Sequence, residues 1–207
     1  MKYIFVAGAP GSKWSSVVKN IYYSASIDRS DYSDARTYSH TNAGKTEILH
    51  LGAYFDPGME FELPESMSVL TRKQAENIFD QPFNGAGVRI IKSHIFSYKD
   101  NIDYLRELWP DCPVVLVQRP SDVCLQWWIK AGQFNISYPS YHKYYKDLTR
   151  AAHLIEQQNN GLINALANYP SQQVSNNQEL ADVLGISQPL TKYSQTYESD
   201  ITVSVIQ

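Results

Sequence analysis

Cysteine is scarce in this chain: Cys112 and Cys124 are the only two in 207 residues. They form no CxxC and no Cys/His spacing, which excludes a multi-bridge disulfide framework and a structural zinc site. A reduced, cytoplasmic setting is the resulting expectation. Basic residues are not in excess either. Eighteen Lys and Arg against 21 Asp and Glu give a net charge of −3 and a pI near 5.9. General binding to nucleic acid or to an anionic membrane is thereby disfavoured, so any anionic ligand must be held by a local cluster. No apolar run approaches the roughly 18–20 residues that cross a bilayer. The opening Met1-Lys2-Tyr3-Ile4-Phe5-Val6-Ala7 reads as a short strand rather than a signal peptide. With no internal repeat and no linker-like stretch, residues 1–207 read as one domain, long enough to bury a core unaided. Aromatics are the exception to this plainness. Fifteen Tyr and four Trp suit a core, a stacking site or an interface equally well.

The pattern of elements is that of an α/β domain. Residues 3–7 read as a buried strand, followed from Ser15 or Ser16 to Tyr23 by a helix opened with a serine cap. Residues 28–42 are polar and turn-rich, a long surface excursion. A strand is expected at 48–53, a turn at Asp56-Pro57-Gly58, and helical spacing at 71–79. Residues 88–92 form a second strand, and 100–109 a helix stopped by Pro110. The third strand, 114–117, is wholly apolar and so expected to be covered on both faces. A helix then runs from Pro120 or Ser121 to Ala131, ended by Gly132. Helices are also expected at 140–157, 161–169 and 177–184, the last closing at Gly185, and the alternating tail from Ile201 to Ile206 reads as an edge strand. Strand, glycine turn, helix, repeated, predicts a central, mainly parallel sheet flanked by helices.

Three strand ends carry the chemistry. The first leads into Gly8-Ala9-Pro10-Gly11-Ser12-Lys13-Trp14-Ser15-Ser16, a glycine-bearing turn at a helix start. Free amides and the helix dipole attract anions there, and Lys13 with Ser12, Ser15 and Ser16 adds charge and donors. It is not a Walker A motif, because Lys13 follows Gly11 only after Ser12 and Trp14 intervenes before the next serine, and a tight turn with a surface lysine is the plainer alternative. The second strand ends Lys92-Ser93-His94. Period two sends Lys92 and His94 to one side, pairing a cation with a general base. A lone histidine held structurally is the alternative. The third strand ends at Arg119, on the carboxyl edge where open α/β sheets bind ligands, unless Arg119 simply pairs with Asp122. Asp28, Asp31, Asp34 and Glu47 read as a solvated acidic patch rather than a metal site. The tyrosine stripe from Tyr138 to Tyr145 reads as a packed helix face.

In this order the motifs resemble those of sulfotransferases that use 3′-phosphoadenosine 5′-phosphosulfate (PAPS). Residues Ala9 to Ser16 stand where that family has a Pro-Lys-Ser-Gly-Thr-Thr-Trp loop, and Lys92-Ser93-His94 where it has Lys-Thr/Ser-His. Arg119-Pro120-Ser121-Asp122-Val123 stands at the family's arginine turn, and Leu180 to Gly185 is similar to its late helix end. The resemblance spans roughly residues 3–186 and implies a three-layer, P-loop-type α/β fold. It also implies PAPS as donor, no metal, and a small-molecule or carbohydrate acceptor. By it, Gly11, Ser12, Lys13, Trp14, Ser15 and Ser16 hold the 5′-phosphosulfate, while Arg119 holds the 3′-phosphate. Gln126 occupies the place of the family's 3′-phosphate serine, with Trp127 next to it. His94 becomes the base, with Lys92 and Lys13 offsetting charge on the sulfonate. Tyr54, Phe55 and Trp128 are the residues expected to stack on a sugar or phenol. A P-loop kinase with a degenerate loop, or a non-catalytic nucleotide-binding protein of this fold, are the alternatives.

Overall fold

The computed structural model describes residues 1–31, 51–56, 61–130, 147–188 and 196–207. Its sheet has six strands: β1 (Tyr3–Gly8), β2 (Ala53–Tyr54), β3 (Arg89–Lys92), β4 (Val114–Gln118), β5 (Ser171–Val174) and β6 (Thr202–Ile206). Their order is β2-β3-β1-β4-β6-β5. The first four run parallel, and β6 lies antiparallel to both β4 and β5. The sheet is therefore mixed and mostly parallel.

Among the described residues six α-helices cover it: α1 (Trp14–Tyr22), α2 (Arg72–Asp80), α3 (Lys99–Leu108), α4 (Ser121–Lys130), α5 (Leu148–Asn168) and α6 (Asn177–Leu184). Alternation along β1 explains the three layers. Ile4 and Val6 join a core with Val17, Val18 and Ile21 of α1 and Leu180 and Leu184 of α6. Tyr3, Phe5 and Ala7 join the other, with Phe79 of α2, Ile102 and Leu105 of α3, and Leu162 and Ala165 of α5. Every residue of β1 is buried, as its apolar sequence requires of a central strand. No helix among the described residues is long and apolar enough to cross a membrane.

Several expectations need correction. The expected helices 140–157 and 161–169 are one continuous helix from Leu148 onward, with residues 140–146 outside the described residues. Gly161, expected as the first residue of the second helix, lies within it, and a Cβ there would sit 2.1 Å from the Ser97 carbonyl oxygen. It lies where α5 packs tightly on the 3-10 turn His94–Ser97. The tail strand β6 is not an edge: it lies between β4 and β5, and β5 takes the edge. Ser171, Gln172 and Gln173 are exposed and polar, which suits an edge strand and hides it from apolar patterning. The strand expected at 48–53 appears as Ala53–Tyr54, with residues 48–50 outside the described residues. Asp28 and Asp31 are not solvated. Asp28 is buried, accepts from the Ser30 amide and hydroxyl and faces Arg89 Nε at 3.5 Å, while Asp31 accepts from the Tyr22 hydroxyl. Asp34, Glu47, the Tyr138–Tyr145 stripe, Pro57, Gly58, Ala131 and Gly132 lie outside the described residues.

Candidate active site

The loop after β1 is shaped by two residues with positive φ. Gly11 has φ 84°, and a Cβ there would lie 2.2 Å from the Cys124 carbonyl oxygen, so the loop packs directly on α4. Lys13 has φ 61° and ψ 23° and is the cap of α1, making no side-chain capping bond. The serine cap expected at Ser15 or Ser16 is therefore absent: the helix starts at Trp14, and the two serines fall in its first turn. There Ser15 is half-buried and Ser16 exposed. Ser12 is buried with its amide on the Ala9 carbonyl, and its hydroxyl makes no hydrogen bond among the described residues. In this first turn the Ser16 amide already donates to the Lys13 carbonyl at 2.9 Å; the other first-turn amides of a helix have no intrahelical acceptor, which is what lets such a turn attract anions.

Beneath that turn lies His94, 4% exposed. Its ring stacks on Trp14 at a centroid distance of 4.1 Å and meets Tyr54 edge-on at 5.9 Å. Nδ1 lies 2.5 Å from the Gly8 carbonyl oxygen, and Nε2 lies 3.6 Å from Oδ2 of Asp56. Lys92 is fully buried on the same side, with Nζ 5.4 Å above the Tyr54 ring. Tyr54 and Lys92 are register partners across β2 and β3, which is why one aromatic ring serves both Lys92 and His94. Burial holds the His94 imidazole below its ordinary value of 6.5, Asp56 and the Gly8 carbonyl pull it up, and Lys92 pushes it down again. The ring is thus held neutral near pH 7.

Arg119 sits on the opposite flank of the loop. Nη1 donates to the Gly11 carbonyl at 3.1 Å, while Nε and Nη2 donate to Oδ2 of Asp200 at 2.9 and 2.7 Å. Its partner is Asp200, from the chain entering β6, and not Asp122. Lys13 in turn pairs with Glu198 at 2.5 Å. Lys13 and Arg119 line a cleft of about 450 Å³ with Val123, Gln126, Trp127 and Lys130. Cys124 beneath it is buried, its thiol pushed up to about 12 by burial, which leaves it a neutral packing group.

Two clusters result, and one loop joins them. Lys92, His94, Trp14 and Tyr54 form the first; Lys13, Arg119 and Gln126 form the second. The expected stacking residues are not all brought to either. Phe55 faces the opposite side of the sheet, packed on Phe61 and Phe79. Trp128 is buried in the α1-side core. Residues missed from sequence are Lys130, Asp56, Glu198 and Asp200. Lys130 was findable, since Val123, Gln126, Trp127 and Lys130 recur at helical three- and four-residue steps on one face. The acidic partners carry no local signal, because only tertiary folding brings Asp56 to His94 and the tail carboxylates Glu198 and Asp200 to the loop. No protein-family model, no curated protein and no solved structure matches this chain.

Proposed function

We propose that the protein is a sulfotransferase, moving the sulfonate of PAPS to a hydroxyl or amine of a small-molecule or carbohydrate acceptor. One observation carries the reading. A single loop ties a base to a cation cluster, its Gly8 carbonyl holding His94 and its Gly11 carbonyl holding Arg119. Both lie at the carboxyl ends of β1, β3 and β4, where β1 has parallel neighbours on either side, the usual place for a ligand in such sheets.

On this reading Arg119, Gln126, Trp127 and Lys130 hold the nucleoside 3′-phosphate end of the donor in the cleft. Lys13 and the first-turn amides of α1 hold the 5′-phosphate. Lys92 offsets the charge that develops on the transferring sulfonate. His94 Nε2 takes the acceptor's proton as the new oxygen–sulfur (or nitrogen–sulfur) bond forms. The bond from sulfur to the phosphate oxygen breaks in the same step, its electron pair leaving with 3′-phosphoadenosine 5′-phosphate. Placement and charge neutralisation provide most of the rate. A donor must compete with Glu198 for Lys13 and with Asp200 for Arg119.

The test is release of 3′-phosphoadenosine 5′-phosphate from PAPS in the presence of pooled phenols, sugars and amines. Acceptor-dependent release is expected, and His94→Ala is expected to lower it by about 10²–10⁴-fold. Release that survives that substitution refutes His94 as the base. A second reading, a non-catalytic protein of this fold, is favoured by the carboxylates already on Lys13 and Arg119 and by the enclosure of His94. It predicts no acceptor-dependent release from any pool.

A further inference from the structure

Asp56 follows β2 directly and is 1% exposed. Its Oδ1 accepts from the Ser93 hydroxyl at 2.6 Å and from the His94 amide at 2.7 Å. These bonds tie the end of β2 to the segment that carries Lys92 and His94. Its Oδ2 is buried, receives no hydrogen bond among the described residues, and lies 3.6 Å from His94 Nε2.

The opposite ring nitrogen decides what this means. Nδ1 meets the Gly8 carbonyl, which can only accept, so in the neutral ring Nδ1 carries the hydrogen and Nε2 the lone pair. Trp14 and Tyr54 hold the ring plane, leaving Nε2 as the nitrogen that gains a proton. A carboxylate facing that nitrogen favours the imidazolium over the imidazole. Asp56, from the end of β2, and Lys92, from β3, are the charged groups that act on the ring; β1 presents the Gly8 carbonyl and α1 presents Trp14.

We infer that Asp56 is a positioning residue for His94: Oδ1 fixes the Lys92-Ser93-His94 segment, and Oδ2 stabilises the proton received at Nε2. The inference deepens the sulfotransferase reading and rests on it for its place in a reaction. The proton comes from the acceptor group as the bond to sulfur forms, resides on Nε2 opposite Oδ2, and passes to solvent after the bisphosphate leaves. Asp56 itself touches neither donor nor acceptor. Burial and the Lys92 ammonium oppose it, so the proton affinity of His94 is a balance of burial and Lys92 against Asp56 and the Gly8 carbonyl.

The test needs no substrate. The His94 imidazole is titrated by NMR in the full-length protein and in Asp56→Asn, which keeps an oxygen for the Ser93 and His94 donors while removing the charge. The midpoint is expected to fall by about one pH unit, tenfold in proton affinity, with the hydrogen on Nδ1 in both neutral forms. Midpoints that coincide overturn the inference. So does a ring that stays neutral in both proteins down to their acid limit. Should Asp56→Asn not fold, the tautomer in the unaltered protein decides: hydrogen on Nδ1 supports the arrangement, and hydrogen on Nε2 overturns it. The outcomes separate from those of the reaction. A shifted titration without acceptor-dependent release removes the sulfotransferase and keeps the pairing. Release with coincident midpoints does the reverse.

Discussion

Breaking the Arg119–Asp200 pair tests whether the cleft's cation is held internally. Arg119 donates two bonds to one carboxylate oxygen and a third to the Gly11 carbonyl, and its side chain is 7% exposed against 34% for Asp200. Removing one partner of a fully buried pair costs about 3–5 kcal/mol, and an exposed pair is worth about 0.2–1 kcal/mol. Water reaching a third of Asp200 places this pair between those limits, at a coupling of about 1–3 kcal/mol. Arg119→Ala also strands the Gly11 carbonyl, adding about 1 kcal/mol. Its total cost is then about 2–4 kcal/mol. The assay is urea unfolding of the unaltered protein, Arg119→Ala, Asp200→Asn and the double variant, read as a thermodynamic cycle. Coupling below about 0.5 kcal/mol would refute the reasoning, because Asp200 would then not be restraining the guanidinium.

Four further outcomes follow from the same geometry. Glu198→Gln frees Lys13 from a partner that is 57% exposed; bisphosphate affinity by calorimetry should rise about 2–5-fold, the equivalent of an exposed pair, and an unchanged or weaker affinity contradicts this. Gly161→Ala, favourable by helix propensity by about 1 kcal/mol, should instead destabilise by about 1–3 kcal/mol in chemical unfolding, because the added methyl meets the Ser97 carbonyl. His94 has a folded value below 6.5, so the unfolded chain binds the proton first; stability should be full above about pH 6.5 and decline as pH falls through the folded value. His94→Gln should flatten that decline in unfolding midpoints measured from pH 8 to 5, and an unaltered slope contradicts it. Asp80 acts at lower pH. Burial raises its carboxyl, but bonds from Lys2, Tyr3 and Arg89 outweigh that and hold it below the usual carboxylate value. Its contribution is present above about pH 4 and lost as pH falls through the folded value; Asp80→Asn should remove this step from the acid-unfolding curve.

Much of the sheet was legible because its central strands are uninterrupted apolar runs. Tyr3 to Ala7, Ile90-Ile91 and Val114 to Val117 have no polar residue that could face solvent, so they had to be central. The strand ends followed, and with them Lys92, His94 and Arg119. What escaped lies where local pattern and tertiary context disagree. Gly161 reads as the start of a separate helix, yet it lies inside a continuous one where that helix packs on Ser97. Ser171, Gln172 and Gln173 carry no apolar strand pattern, yet they pair at an edge. Lys13 is a left-handed cap that no propensity would select. In the site, His94, Lys13 and Arg119 were visible and the carboxylates beside them were not, because Asp56, Glu198 and Asp200 meet them across 38, 185 and 81 residues of chain.

The most direct test of the central claim is calorimetric titration with 3′-phosphoadenosine 5′-phosphate beside ATP with magnesium. The account predicts selective binding of the bisphosphate, weakened strongly in Arg119→Ala. Binding of ATP alone would point to a kinase-like protein, and no binding of either ligand would contradict a nucleotide site at this rim.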